Sequence, residues 1–194
     1  MNAEPLSVVK LGGSLLDMPG VWAKLRRWLD ALPGRHFLLI GGGAIADLIR
    51  RIDTVHRLGN EEAHWWALRA MGFNARLASR LLPRAKIVAQ PSEFDSLWKD
   101  RQTPIIEPIA FLIDDILEPD PLPYTWDVTS DSITARIARQ ANASHLYLLK
   151  SRSAPHFQTW EEFAEAGIVD KWFPNEARAL PSTEIVLINF RELR

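Results

Sequence analysis

The sequence predicts an α/β protein in which a parallel or mainly parallel sheet is covered by helices. Three observations carry that expectation. Short β-rich runs alternate with longer stretches of helical period, the pattern that links successive parallel strands through crossover helices. The strand-like runs are apolar almost throughout rather than alternating, as strands buried on both faces must be. Two of them end directly in glycines, where a buried strand meets the start of a helix.

Taken in order, the expected strands are Leu6 to Leu11, Phe37 to Ile40, Ile87 to Ala89, Leu146 to Leu149 and Ile185 to Ile188, each bounded by Gly, Pro or polar breakers. After the second strand, Ile45, Leu48, Ile49, Ile52 and Val55 recur at the spacing of one helical face. Ala63, Trp66, Ala67, Ala70, Leu77 and Leu81 repeat that spacing in a second helix, with Asn60 as its N-cap and Glu61 and Glu62 in its first turn. A third helix starts near Ser130, carries Ile133, Ile137, Ala138 and Ala141 inward and is closed by Asn142. The stretch from Pro104 to Pro123 contains five prolines among apolar residues and acids, and is expected as a short strand followed by a surface loop. The segment from Ser151 to Pro181 is expected to hold one helix, around Trp160 to Ala166, and then a loop to the last strand.

With 194 residues, 47% of them hydrophobic and 24% charged, the chain has material for an ordered core. No linker composition or internal repeat divides it, so one domain over residues 1–194 is expected. The absence of cysteine excludes disulfides, thiolate metal sites, iron–sulfur clusters and cysteine nucleophiles. A net charge of -1, from 23 basic and 24 acidic residues, provides no bulk attraction to nucleic acid or to an anionic membrane. No stretch approaches the roughly 20 apolar residues of a membrane span, and the opening MNAEPLSVVKLGGSLL lacks the pattern of a signal peptide. A cytoplasmic protein is expected, with small molecules or other chains as partners. His36, His56, His64, His145 and His156 show no metal-ligand spacing, so no protein-ligated metal is expected. The eight tryptophans suit core or interface filling.

The glycine turns are the first chemical signal. Val8-Val9-Lys10-Leu11-Gly12-Gly13-Ser14 and Leu39-Ile40-Gly41-Gly42-Gly43-Ala44 both read as anion cradles, because glycines let backbone N–H groups converge on a ligand with no Cβ in the way. Lys10 sharpens the first, since a lysine ending an apolar strand is costly to bury unless an anion faces it. Tight turns beside a lysine that reaches solvent are the plainer reading. No Walker-type motif occurs. Gly41-Gly42-Gly43-Ala44-Ile45-Ala46 does satisfy a dinucleotide fingerprint, but the acid required about 20 residues later falls on Glu61 or Glu62, which open a helix. A third constellation, Trp126-Asp127-Val128-Thr129-Ser130-Asp131-Ser132, concentrates carboxylates and hydroxyls at a helix start. It suits a Mg²⁺-phosphate site or the positioning of a lysine, and it also suits ordinary capping.

Together, the V-V-K-L-G-G-S strand, the G-G-G-A turn and the T-S-D-S helix start, in that order, resemble the amino-acid kinase superfamily. With His64-Trp65-Trp66-Ala67-Leu68-Arg69-Ala70-Met71, the Trp126 to Ser132 block and the short length, the likeness is to its small aminomethylfuran phosphate kinase branch. The resemblance covers roughly Val8 to Leu149. It implies a three-layer αβα sandwich with ATP and acceptor end to end across the carboxyl edge of an open, mainly parallel sheet. It further implies that Lys10 neutralises the transferring phosphoryl group and that Gly12, Gly13 and Ser14 cradle ATP phosphates. Gly41, Gly42 and Gly43 would lie at the acceptor side, with His64, Asp127, Thr129 and Ser130 as further substrate-side candidates. Asp131 would orient lysines and water-bound Mg²⁺, and oligomers are common in the family. One departure stands out. The family's acidic, glycine-containing loop is replaced here by Lys150-Ser151-Arg152-Ser153-Ala154-Pro155, so either Lys150 and Arg152 contact ATP or nucleotide binding is weakened. Lys150 and Lys171 are the candidates for a second phosphate-side lysine, Lys171 being the one expected at the surface. An ATP- and Mg²⁺-dependent small-molecule kinase is the leading expectation. A noncatalytic ligand-binding relative is the rival, and a dinucleotide-dependent oxidoreductase is a distant third.

Overall fold

The computed structural model describes residues 4–113, 115–153 and 158–193; His156 and the Ala154-Pro155 end of the altered loop lie outside them. In chain order the elements are β1 (Leu6–Leu11), α1 (Val21–Ala31), β2 (Arg35–Ile40), α2 (Gly43–His56), α3 (Asn60–Leu81), β3 (Ala85–Val88), α4 (Phe94–Lys99), β4 (Thr103–Ile106), α5 (Pro108–Leu112), α6 (Ser130–Gln140), β5 (His145–Lys150), α7 (Trp160–Glu165), α8 (Phe173–Arg178) and β6 (Glu184–Asn189). The six strands form one sheet in the order β3-β4-β2-β1-β5-β6, with every pairing parallel. From β1 the chain moves to β2 on one side and reaches β5 on the other much later. The strand order therefore reverses at β1, and the crevice beyond its carboxyl end is where such sheets bind ligands.

Strand alternation sorts the core into two layers. Val8, Phe37, Leu39, Leu146 and Leu148 face one side, where Ile133 and Ile137 of α6 and Phe173 of α8 cover them. Val9, Leu11, Leu38, Ile40 and Leu149 face the other, against Leu25 and Leu29 of α1. Helix α3 serves both layers, with Leu68 and Met71 in the first and Ala75 and Ala78 in the second. The result is the expected three-layer αβα arrangement.

Several local expectations need correction. Asn60 is the first residue of α3 rather than its cap, and Gly59, at φ 88°, holds the cap position that a side chain resists. The chain after β4 is not a surface loop. Proline at the first turn starts α5, Pro108, Leu112 and Leu122 are buried, and α5 packs on α3. The segment after α7 likewise holds α8, which was not anticipated, and neither were α1 and α4. The apolar periodicity in α2 and α3 is split between core and surface. Ile49 is buried while Val55 is 72% exposed, and Phe73, Leu77 and Leu81 of α3 are also exposed. Asn142, at φ 49°, closes α6 as expected.

Arg136 of α6 fixes the helices that frame the crevice. Its buried guanidinium donates through Nε and Nη2 to Glu176 of α8, both at 2.9 Å, through Nη1 to Asp115 at 3.0 Å, and through Nη2 to the Asp120 carbonyl at 2.8 Å. All three guanidinium nitrogens find acceptors, which is the condition for burying such a charge.

Candidate active site

Lys10 shares a face with Val8, so the period of β1 points its side chain toward α6. There its Nζ donates to Asp131 Oδ1 at 2.8 Å, with both side chains buried. Lys150, the last residue of β5, shares the corresponding face with Leu146 and Leu148 and reaches the same carboxylate, at 2.7 Å from Oδ1 and 2.6 Å from Oδ2. One aspartate in the first turn of α6 thus holds two ammonium groups side by side. Burial acts to raise the Asp131 pKa, but Lys10 and Lys150 outweigh it and hold the carboxyl well below the usual range. Burial pushes the Lys150 pKa down to about 8; Asp131 opposes that shift and the charge of Lys10 adds to it.

Asp170 forms the next layer, and nothing in the sequence had marked it. It accepts from the backbone and hydroxyl of Thr129 at 2.9 and 2.8 Å, and from the backbone and hydroxyl of Ser132, while its own N–H donates to Asp131 Oδ2 at 3.2 Å. The Ser132 amide in the first turn of α6 is therefore capped by a carboxylate from a distant loop rather than by the Thr129 side chain. Burial raises the Asp170 pKa, and the charge of Asp131 adds to the rise.

The two glycine turns meet backbone to backbone. An ideal Cβ on Gly13 would fall on the Gly43 amide nitrogen and 2.5 Å from its Cα, and one on Gly41 would lie 2.7 Å from the Gly13 nitrogen. Gly43 opens α2 at φ 54°. Buried Asn74 of α3 clamps this turn by donating its side-chain amide to the carbonyls of Gly41 and Gly42 at 2.7 and 2.9 Å. Its only sequence signal was a polar residue inside an apolar helical stretch. On the other flank, the Ser14 and Ser151 hydroxyls hydrogen-bond at 2.8 Å, joining the loops after β1 and β5.

A cavity of about 350 Å³ opens from this cradle. Gly13, Ser14, Gly42 and Gly43 line one end, Ala67, Leu68, Met71 and Ile133 the apolar body, and Asp47, Arg50 and Trp126 the far end. Thr129, Ser130 and His64 also line it. Burial lowers the His64 pKa to about 4, with Asp115 opposing, so the ring is neutral near pH 7. It packs against the Tyr124 ring in a tilted arrangement at a centroid distance of 5.0 Å.

The structure therefore brings together Lys10, Asp131, Lys150, Gly12, Gly13, Ser14, Gly41, Gly42, Gly43, Thr129, Ser130 and His64 at the carboxyl edge of the sheet. Asp127 stands apart, paired at the surface with Lys171 at 3.3 Å. Lys150 is thus the second lysine beside Lys10, while the Arg152 guanidinium donates to the Ala166 carbonyl at 3.1 Å. Ser153 ties the altered loop to Asn189 and Glu192, each at 2.8 Å. Arg50 and Asp47 went unnoticed in the sequence, since surface charges on an amphipathic helix are unremarkable. Glu61 and Glu62 lie in the first turn of α3, away from any strand end, which leaves the dinucleotide fingerprint without its ribose ligand.

The arrangement suits transfer of a phosphoryl group. It offers glycine amides and two ammonium groups fixed by one carboxylate, and phosphoryl transfer needs chiefly positioning and charge neutralisation, with no nucleophilic side chain required. Among the described residues no cluster of three or more histidine or carboxylate side chains forms a metal cage. The Asp131 oxygens are occupied by the lysines, so this chain fits a Mg²⁺ that keeps its waters and is carried by nucleotide phosphates.

No protein-family model matches the chain. Its sequence is similar to (5-(aminomethyl)furan-3-yl)methyl phosphate kinase of Methanocaldococcus jannaschii, at 24% identity over 137 residues, covering 69% of this chain and 60% of that protein. Its fold is that of uridylate (UMP) kinases. The enzyme from Archaeoglobus fulgidus superposes with a TM-score of 0.63 at 17% identity, covering 95% of this chain and 92% of that one. The enzyme from Bacillus anthracis gives 0.65 at 13% identity, covering 98% and 89%. These proteins are all amino-acid kinase superfamily members, so the resemblance read from the glycine turns and the T-S-D-S helix start is borne out. Among the described residues no helix is long and apolar enough to cross a membrane.

Proposed function

We propose that this protein is an ATP- and Mg²⁺-dependent kinase acting on a small organic phosphate, transferring the terminal phosphoryl group of ATP to the acceptor's phosphate. The observation that carries this reading is the Lys10–Asp131–Lys150 cluster at the carboxyl ends of β1 and β5, with Lys10 two residues before the first of the paired glycine turns. ATP phosphates would lie against the amides of Gly12, Gly13 and Ser14, with Lys10 and Lys150 countering the charge that moves between donor and acceptor. Asp131 keeps both ammonium groups aimed at that point. Mg²⁺ on the nucleotide supplies further charge neutralisation. The acceptor phosphate would enter beside Gly41, Gly42 and Gly43, and its organic part would occupy the apolar body of the cavity.

An aminomethylfuran phosphate is the specific acceptor we propose. The similarity to the Methanocaldococcus enzyme supports it, as does the neutral, mostly apolar wall of Leu68, Met71, His64 and Ile133, which matches a compact ring. The test is calorimetric titration with a nonhydrolysable ATP analogue and Mg²⁺, followed by ADP release with this acceptor, in the parent and in Lys10→Ala. The parent is expected to bind and turn over. Lys10→Ala should stay folded, because Asp131 keeps Lys150, and should lose about 10²–10³-fold in kcat. Near-normal turnover in Lys10→Ala would overturn its role, and a parent that binds no ATP would favour a noncatalytic ligand-binding protein.

A further inference from the structure

The far end of the cavity holds charge that the phosphoryl chemistry does not use. Gly43, Ala46, Asp47 and Arg50 form one stripe along α2 against the cavity, and Asp47 is the one carboxylate among the described residues that line it. A rise of 1.5 Å per residue puts Asp47 about 6 Å along the helix from the glycine turn, roughly the span of a five-membered ring with one substituent. Arg50 lies a turn farther on and is already engaged: its guanidinium sits 4.7 Å from the Trp126 ring centroid. The indole N–H of Trp126 in turn donates to Asp53 at 2.8 Å, which fastens the ring across the cavity mouth. Asp47 has no comparable commitment. Its nearest cation is Arg50 Nη1 at 4.0 Å, the outer limit of an ion pair, and its side chain is 66% exposed.

A carboxylate at the rim of an apolar cavity, beside an indole, selects a compact cation that donates several hydrogen bonds. We propose that Asp47 is a specificity residue that pairs with an ammonium group on the acceptor, at the end opposite the phosphate. The acceptor class is then an amino-substituted phosphate ester. The inference rests on the kinase reading of the same cavity. A second anionic group at that end would meet Asp47 before it reached Arg50, so diacidic acceptors are selected against.

The test measures binding without ATP. Calorimetry compares (5-(aminomethyl)furan-3-yl)methyl phosphate with its counterpart carrying a methyl in place of the aminomethyl group, on the parent, Asp47→Asn and Asp47→Glu. The parent should prefer the aminated ester by about tenfold or more, the scale of one charge-assisted hydrogen-bonded pair. Asp47→Asn should erase that preference, Asp47→Glu should keep part of it, and all three proteins should bind the methyl-substituted phosphate ester equally. In turnover, Asp47→Asn should raise the acceptor KM and leave the ATP KM unchanged. Equal losses for both esters, a preference that survives Asp47→Asn, or a parent that binds neither ester would overturn the proposal. Binding through Asp47 without phosphoryl transfer would remove the kinase reading and leave this one standing; turnover indifferent to the amine and to Asp47→Asn would do the reverse.

Discussion

Replacing Gly13 with alanine puts a methyl group where the backbone of Gly43 already stands, 2.5 Å from its Cα against an ordinary contact of 3.4 Å or more. The turns after β1 and β2 must therefore separate by about 1 Å. Neither can shift freely, because β1 and β2 pair along six residues and Asn74 holds the Gly41 and Gly42 carbonyls. Overpacking of this kind costs about 1–3 kcal/mol, which for a chain of this size lowers the Tm by roughly 2–12 °C. Activity should suffer more than stability, since a displacement of about 1 Å at a phosphoryl cradle can cost on the order of 10²-fold. Thermal unfolding and turnover measured on the same preparation read both effects. Gly20→Ala is the contrasting variant: its φ of 74° is left-handed but nothing lies within 4 Å, so it carries backbone strain without a clash, whereas Gly13→Ala carries the clash without a left-handed φ. A Gly13→Ala protein with parental Tm and turnover would refute the close approach of the two turns.

Two further outcomes are expected. Burial holds Lys150 at about 8, and a bound phosphate favours its charged form, so ATP affinity should be level well below that value and fall as pH rises through it. Lys150→Arg should flatten the decline, and a pH-independent parent affinity would count against Lys150 as a phosphate contact. Phe73, Leu77 and Leu81 leave an apolar face on α3 beside a groove lined by Ile45, Ile49 and Trp66, and we expect a second copy of the chain to cover it. Phe73→Asp with Trp66→Ser should shift sedimentation to monomer; a parent that is monomeric at high concentration would refute that interface.

The legible parts of this fold were those where one physical demand dominates. β1, β2, β5 and β6 read plainly because continuous apolar runs flanked by breakers leave little alternative. α1 was missed although Val21, Leu25 and Leu29 have helical spacing, because the half-buried Trp22 and Lys24 and the exposed Arg26 between them dilute the signal. The apolar stripes of α2 and α3 were visible, but hydrophobicity alone does not separate core from outer surface: Ile49 is buried and Leu48 beside it is not. Within the site, Lys10 and the glycines were legible because burying a lysine or placing consecutive glycines after a strand is costly without a purpose. Lys150 was named, in the altered loop and as one of two candidates for a second phosphate-side lysine, but not as the last residue of a strand. Its place beside Lys10 follows from alternation with Leu146 and Leu148 along β5, a period the sequence did contain. Asp170 and Asn74 gave almost no signal, since each acts on backbone groups whose proximity exists only in the folded chain.

The Lys10–Asp131 pair joins residues 121 positions apart, and this separation bears on how the protein is made. Synthesis delivers β1 early, and β2 can pair with it soon after, yet its other edge stays open until His145–Lys150 emerges. Throughout that interval Lys10 lacks its counter-charge, so full burial of the central strand is opposed until α6 and β5 arrive together. Closing such long loops is the slow step for parallel sheets, and the unpaired edge of β1 is exposed to other chains while it lasts. A polypeptide that stops short of β5 thus has an open strand edge and an uncompensated lysine. The same buried lysine and carboxylate that join β1 to α6 also deny the unfinished chain a stable stopping point.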